Sequence, residues 1–131
     1  MMDVSIKSVH LNDCAIVACS HYFGIPYDKV LDEFRLISSA HGQTYKISNG
    51  TPRYVTNVFL VSKGLKKRSK IPRRGQNKIS GIVVMVNVNK TKAHMVAMID
   101  GMVFDTVSPE GTPIDVYQRR VMTKHINEVW E

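Results

Sequence analysis

The chain has 131 residues, 44% of them hydrophobic, and a formal net charge of +7. That length accommodates one hydrophobic core and excludes a multidomain arrangement. No apolar run approaches the roughly 20 residues of a membrane helix, and Met1–Lys7 lacks the apolar stretch of a secretory signal. A cytoplasmic protein with no membrane partner is therefore expected.

The first predicted helix runs from Asp13 to Phe23, with Asn12 as its N-cap and Gly24 as its stop. Its apolar residues are spread around the axis, as in a buried core helix. It carries both cysteines. Cys14 and Cys19 are separated by about 140° around a helix, too far apart in direction to bridge. Reduced thiols are the expectation. A second helix begins at Pro26 and places Tyr27, Val30, Leu31 and Phe34 at helical spacing. Ser38 to Gly50 is polar and reads as a loop. Thr51-Pro52 has the N-cap and N1 signature of a third helix, whose face carries Val55, Val58 and Phe59 and which exits at Gly64.

Lys63 to Lys78 then holds eight basic residues and no acid. Taking these eight from the eighteen leaves ten basic against eleven acidic residues, so the protein is a nearly neutral domain with one basic segment. Pro72 and Gly75 make much of it a loop. It reads either as a solvated connection or as a docking footprint for nucleic acid or an acidic protein, with Lys66, Lys67, Arg68, Lys70, Arg73 and Arg74 as its contacts. It has no aromatic residue on which bases would stack.

Beyond it the periodicity changes. Gly81–Val88 is a β-branched run, the pattern of a central strand. Two strands follow, about Ala93–Ile99 and Met102–Val107, joined by Asp100-Gly101, a strong two-residue hairpin signal. Val116 to Met122 and Ile126 to Trp130 read equally as strands or short helices. The layout, N-terminal helices followed by an antiparallel sheet, is that of an α+β domain.

Three residues in this frame form a chemical set. Cys14 sits at a helix start, where unpaired N–H groups and the helix dipole favour thiolate. Cys19, a turn and a half deeper, reads as an ordinary buried thiol. In the predicted hairpin, Ile99 pairs with Met102 and Val96 with Asp105, so His94, Val96 and Asp105 share a face. An acid bonded to Nδ1 of His94 would leave Nε2 facing the thiol. Taken singly, each has a plainer reading: a buried thiol, a histidine on a half-exposed strand, an aspartate closing a turn. Together, in the order cysteine, histidine, acid, they make a catalytic set for acyl transfer through Cys14, His94 and Asp105. The Cys14 N–H is one oxyanion donor, and Asn12, Ser8 or His10 are candidates for the second. Asp13 either steers a substrate amine or favours the helix start. His10, His21, His41 and His125 have no zinc-ligand spacing, and no phosphate loop is present, so neither metal nor cofactor is expected.

Asn12-Asp13-Cys14-Ala15-Ile16-Val17-Ala18 opening one helix and Tyr27-Asp28-Lys29-Val30 opening the next resemble the papain-like cysteine peptidase superfamily. The likeness is to small bacterial and bacteriophage domains of the bacteriocin-processing type. His94 to Asp105 is similar to their histidine strand, which turns back to deliver an aspartate. The resemblance spans about Val9 to Val107 and implies a papain-like fold, with Cys14 as nucleophile, His94 as base and acid, and Asp105 as orienting residue. It also implies a protein or peptide substrate, and a phage product would act in its host's cytoplasm. Many such proteins carry a glutamine shortly before the nucleophile as an oxyanion donor, and none precedes Cys14. Two functions follow as expectations. One is a cysteine peptidase or isopeptidase, with transfer or deamidation as variants of the same chemistry. The other is a non-catalytic binding protein on the same scaffold that docks its partner through Lys63–Lys78.

Overall fold

The computed structural model describes residues 13–131. They form an α+β domain of four α-helices and a five-stranded antiparallel sheet. The helices are α1 (Cys14–Phe23), α2 (Tyr27–Ala40), α3 (Arg53–Ser62) and α4 (Ile114–Arg120). The strands are β1 (Gly81–Val86), β2 (Ala93–Ile99), β3 (Met102–Asp105), β4 (Ser108–Pro113) and β5 (His125–Trp130), in the order β4-β3-β2-β1-β5.

β1 is buried at every residue, because it has a strand on each edge and a layer on each face. Ile82 and Val84 face a core built from α1, α2 and α3 with Met95, Ala97 and Trp130. Val83 and Met85 face the opposite side, where Ile114 and Tyr117 of α4 pack with Val96, Met98 and Val103. The sheet is therefore covered on both faces, not only by the N-terminal helices. α1 is the most enclosed helix: Ile16, Val17, Ala18 and Cys19 have no exposed surface. Phe34 and Phe59 meet edge to face with centroids 5.1 Å apart and join α2 to α3. Among the described residues no helix is long and apolar enough to cross a membrane.

The hairpin forms at Asp100-Gly101 with the expected register, Ile99 opposite Met102, Met98 opposite Val103 and Ala97 opposite Phe104. Asp100 and Gly101 both have positive φ, 50° and 79°, as a primed turn requires. The Ser80 hydroxyl accepts the Asp100 N–H at 2.8 Å.

Several boundaries differ from the sequence expectation. The cap of α1 is Asp13, and Asn12 lies outside the described residues. α2 continues to Ala40 through part of the expected loop, and α3 begins one residue late, with Pro52 at its cap. β3 ends at Asp105 instead of Val107, and the chain reverses there into β4, a strand of Ser, Pro, Glu, Gly and Thr that pattern alone does not mark. The two ambiguous tail segments resolve as α4 and as β5, which pairs with the free edge of β1. The basic segment is not wholly a free loop: Lys66 and Glu131 exchange backbone hydrogen bonds, and the Arg68 N–H donates to the Val129 carbonyl.

A Cβ on Gly101 would lie 2.2 Å from the Asn77 carbonyl oxygen, whereas one on Gly42, also at positive φ, would meet nothing within 4 Å. Gly42→Ala is expected to cost about 1–2 kcal/mol from backbone strain alone. Gly101→Ala must cost more, because Asn77 has to move as well. Urea denaturation of both variants checks this, and equal losses would show that the close approach is unimportant.

Candidate active site

Cys14 is the first residue of α1, and its side chain lies at the start of β2, beside the His94 ring and the Met95 backbone. α1 is apolar enough to be driven onto the sheet, and this burial brings its N-terminus against β2. His94 Nε2 donates to Asp105 Oδ2 at 2.9 Å. The acid thus engages Nε2, and Nδ1 is the nitrogen left for the thiol. This is the reverse of the sequence expectation, because ring orientation depends on where the chain turns after Asp105.

The Asp105 carboxylate is 2% exposed and accepts four hydrogen bonds. Oδ2 takes His94 and the Tyr117 hydroxyl, the latter at 2.5 Å. Oδ1 takes the Val107 and Ser108 N–H groups at 3.0 and 2.9 Å. One oxygen closes the β3–β4 turn as aspartate often does, and the other holds the imidazole. Asp105 thus closes the turn and bonds the His94 ring at once.

The electrostatics follow from these contacts. Burial pushes the Cys14 thiol up, but the His94 hydrogen bond, the Met95 backbone bond and the His94 charge outweigh it, so the pKa falls below the ordinary 9.0. Burial disfavours charge on His94, yet the bonds to Asp105 and Cys14 raise its pKa to about 9. Burial likewise raises Asp105, while its His94 and Tyr117 bonds bring it below 3.8. All three shifts run toward the charged forms: thiolate, imidazolium and carboxylate. Cys19 is fully buried and its thiol is driven upward by desolvation, as an inert core residue requires.

A cleft of about 350 Å³ opens over this set, lined by Cys14, His94 and Met95 and by Gly50, Thr51 and Arg53. An α-helix leaves its first N–H groups without intrahelical partners, and Cys14 supplies the first of these beside the thiol. Asp13 is 1% exposed and accepts the Tyr27 hydroxyl at 2.7 Å. It is absent from the cleft lining and ties the start of α1 to the start of α2, a position that does not suit the steering of a substrate amine. Arg53 pairs with Glu128 at the cleft rim. The basic residues Lys66, Lys67, Arg68, Lys70, Arg73 and Arg74 are all exposed and stand apart from the Cys14 pair. Among the described residues no three histidine, cysteine, aspartate or glutamate side chains converge as a metal site.

Tyr117 is the residue that the sequence did not mark. It lies in a segment of uncertain type, on a helix packed on the sheet face opposite α1, so no local pattern links it to the hairpin. Compared with known proteins, the chain matches no protein-family model, no curated protein and no solved structure. The geometry of the site carries the reading of its chemistry.

The acid limb of Cys14 alkylation by iodoacetamide should fall below the ordinary thiol range in the wild type and return toward or above it in His94→Ala, with Cys19 unlabelled in both. Mass spectrometry across pH measures this, and a His94-independent limb would mean that the pair is not coupled. Tyr117→Phe should cost about 1–3 kcal/mol of stability. It leaves Oδ2 with one donor, which strengthens its hold on the imidazolium. The His94 proton should then be released at a pH above about 9, as read from its ring resonances by NMR, and an unchanged titration would confine Tyr117 to packing.

Proposed function

We propose that the protein is a thiol-dependent hydrolase with a papain-like arrangement that cleaves a peptide-like bond through Cys14, His94 and Asp105. The observation that carries this reading is the Cys14 thiol set beside His94, whose ring is hydrogen-bonded to a four-donor Asp105, at an open cleft. A structural cysteine needs no imidazole, and a structural histidine needs no carboxylate with its charge so fully fixed. A helix-borne cysteine followed by a histidine strand and an acid from the next strand also supports the papain-like reading.

The chemistry follows from the resting charges. The Cys14 thiolate attacks the substrate carbonyl, a C–S bond forms, and the negative charge on oxygen is met by the Cys14 N–H at the helix start. As the carbon–nitrogen bond breaks, His94 gives its proton to the departing amine. A water then yields a proton to His94 and its oxygen to the thioester carbon, the C–S bond breaks, and the acid leaves with the thiolate–imidazolium pair restored. Asp105 stays ionised throughout, because all its hydrogen bonds are to donors, and it holds the ring with Nδ1 toward sulfur. An amine in place of that water would give acyl transfer, and a glutamine side chain as substrate would give deamidation.

The exposed basic segment favours a second reading, a binding protein whose partner docks on Lys63–Lys78. The two separate cleanly. A folded Cys14→Ala protein should lose cleavage of a peptide library completely, with Asp105→Asn retaining a residue of activity roughly 10²–10⁴-fold below wild type. The wild-type rate should rise as Cys14 ionises and fall as pH passes about 9, where His94 loses the proton it must donate. A partner-dependent effect untouched by Cys14→Ala but lost on charge reversal at Lys66, Lys67 and Arg68 would establish the binding reading instead.

A further inference from the structure

Beside the cleft over Cys14 lies a second groove of about 490 Å³, walled by Tyr45, Lys46 and Tyr54 and by His41 at its end. Both hollows are lined by Asn49, Gly50 and Thr51, so they are continuous across one stretch of chain. Among the described residues, neither hollow is lined by an acidic side chain. At the cleft, Arg53 is paired with Glu128, and Lys67 lies opposite Trp130, whose indole N–H donates to Glu128. The basic segment is thus tied at Lys67 to β5, the strand that carries Glu128.

That segment is held in place. The backbone exchange between Lys66 and Glu131, and the Arg68 bond to Val129, fix it along β5. Lys63 pairs with Glu33 and Arg68 with Glu131, whereas no salt bridge is formed by Lys66, Lys67, Lys70, Arg73 or Arg74 among the described residues. Cations therefore stand at two places: Lys46 in the groove wall, and Lys66 and Lys67 on the segment bridged to β5.

We propose that this surface binds an acidic polypeptide segment that lies in the groove and over Cys14, with carboxylates toward Lys46 and toward Lys66 and Lys67. The proposal rests on the hydrolase reading for what happens at Cys14, but the docking itself does not require cleavage. A polypeptide is favoured over nucleic acid for two reasons. The basic segment has no aromatic residue to stack bases, and the groove that holds Lys46 shares its wall with the cleft of a thiol whose proposed substrate is a peptide-like bond. Contacts of this kind weaken with salt and supply steering and selectivity more than bulk affinity.

The test uses fluorescein-labelled decaglutamate as the probe, with a duplex DNA of matched charge beside it. Decaglutamate should bind the full chain at low salt and slow the alkylation of Cys14. Binding should weaken at least tenfold in Lys46→Glu and in the Lys66→Glu/Lys67→Glu variant, and less in the Gln variants, with circular dichroism unchanged. Binding that leaves Cys14 labelling unaffected, or that is indifferent to these substitutions, would overturn the proposal, as would DNA that protects Cys14 better than decaglutamate does. The hydrolase reading fails separately. If Cys14 shows an ordinary pH profile but decaglutamate still shields it, docking stands and catalysis falls. If Cys14 is activated and decaglutamate does nothing, only the docking falls.

Discussion

The Asp105 carboxylate is the point on which the rest of the site depends. Its four donors come from three places: β2 through His94, α4 through Tyr117, and the turn that Asp105 itself begins. A buried carboxylate with one donor would raise its own pKa and tend toward neutrality. With four it remains charged, and that charge keeps a proton on His94, which in turn favours the Cys14 thiolate. Charge at the sulfur is thus maintained by hydrogen bonds on the far face of the sheet.

The arrangement also couples packing to chemistry. α1 reaches the sheet because its apolar surface is buried on one face, and Tyr117 is positioned by burial on the other. The reactive set lies where the two layers meet across β2 and β3. Sub-ångström disturbance of α4 would alter the Asp105 environment without touching the cleft. The separation of roles is equally physical. Cys14 and Cys19 sit on one helix and burial raises both thiols, but only Cys14 has a histidine and a backbone N–H beside it to reverse the shift.

The sequence made much of this legible, for reasons that can be named. The Asp100-Gly101 turn set the hairpin register because few residue pairs accept two positive φ angles, and register in turn placed His94 near Asp105. Cys14 stood out by its place at a polar-to-apolar boundary. β4 escaped notice because edge strands need little apolar surface, and Ser108–Pro113 has almost none. Asp13 was ambiguous because nothing in the local chain tells a surface carboxylate from one sealed by a tyrosine 14 residues away.

What the sequence by itself determined was local: a core helix opening on a cysteine, a tight hairpin carrying histidine and aspartate, and a single basic segment. Periodicity, turn chemistry and charge are properties of neighbouring residues, and they survive without any knowledge of the fold. The tertiary structure decided the nitrogen that meets the carboxylate, the phenol that supports it, the covering of both sheet faces and the anchoring of the basic segment on β5. Each depends on the direction of a side chain or on contacts between distant segments. Only packing of the whole chain fixes those, because the free energy that selects them is shared over the entire core.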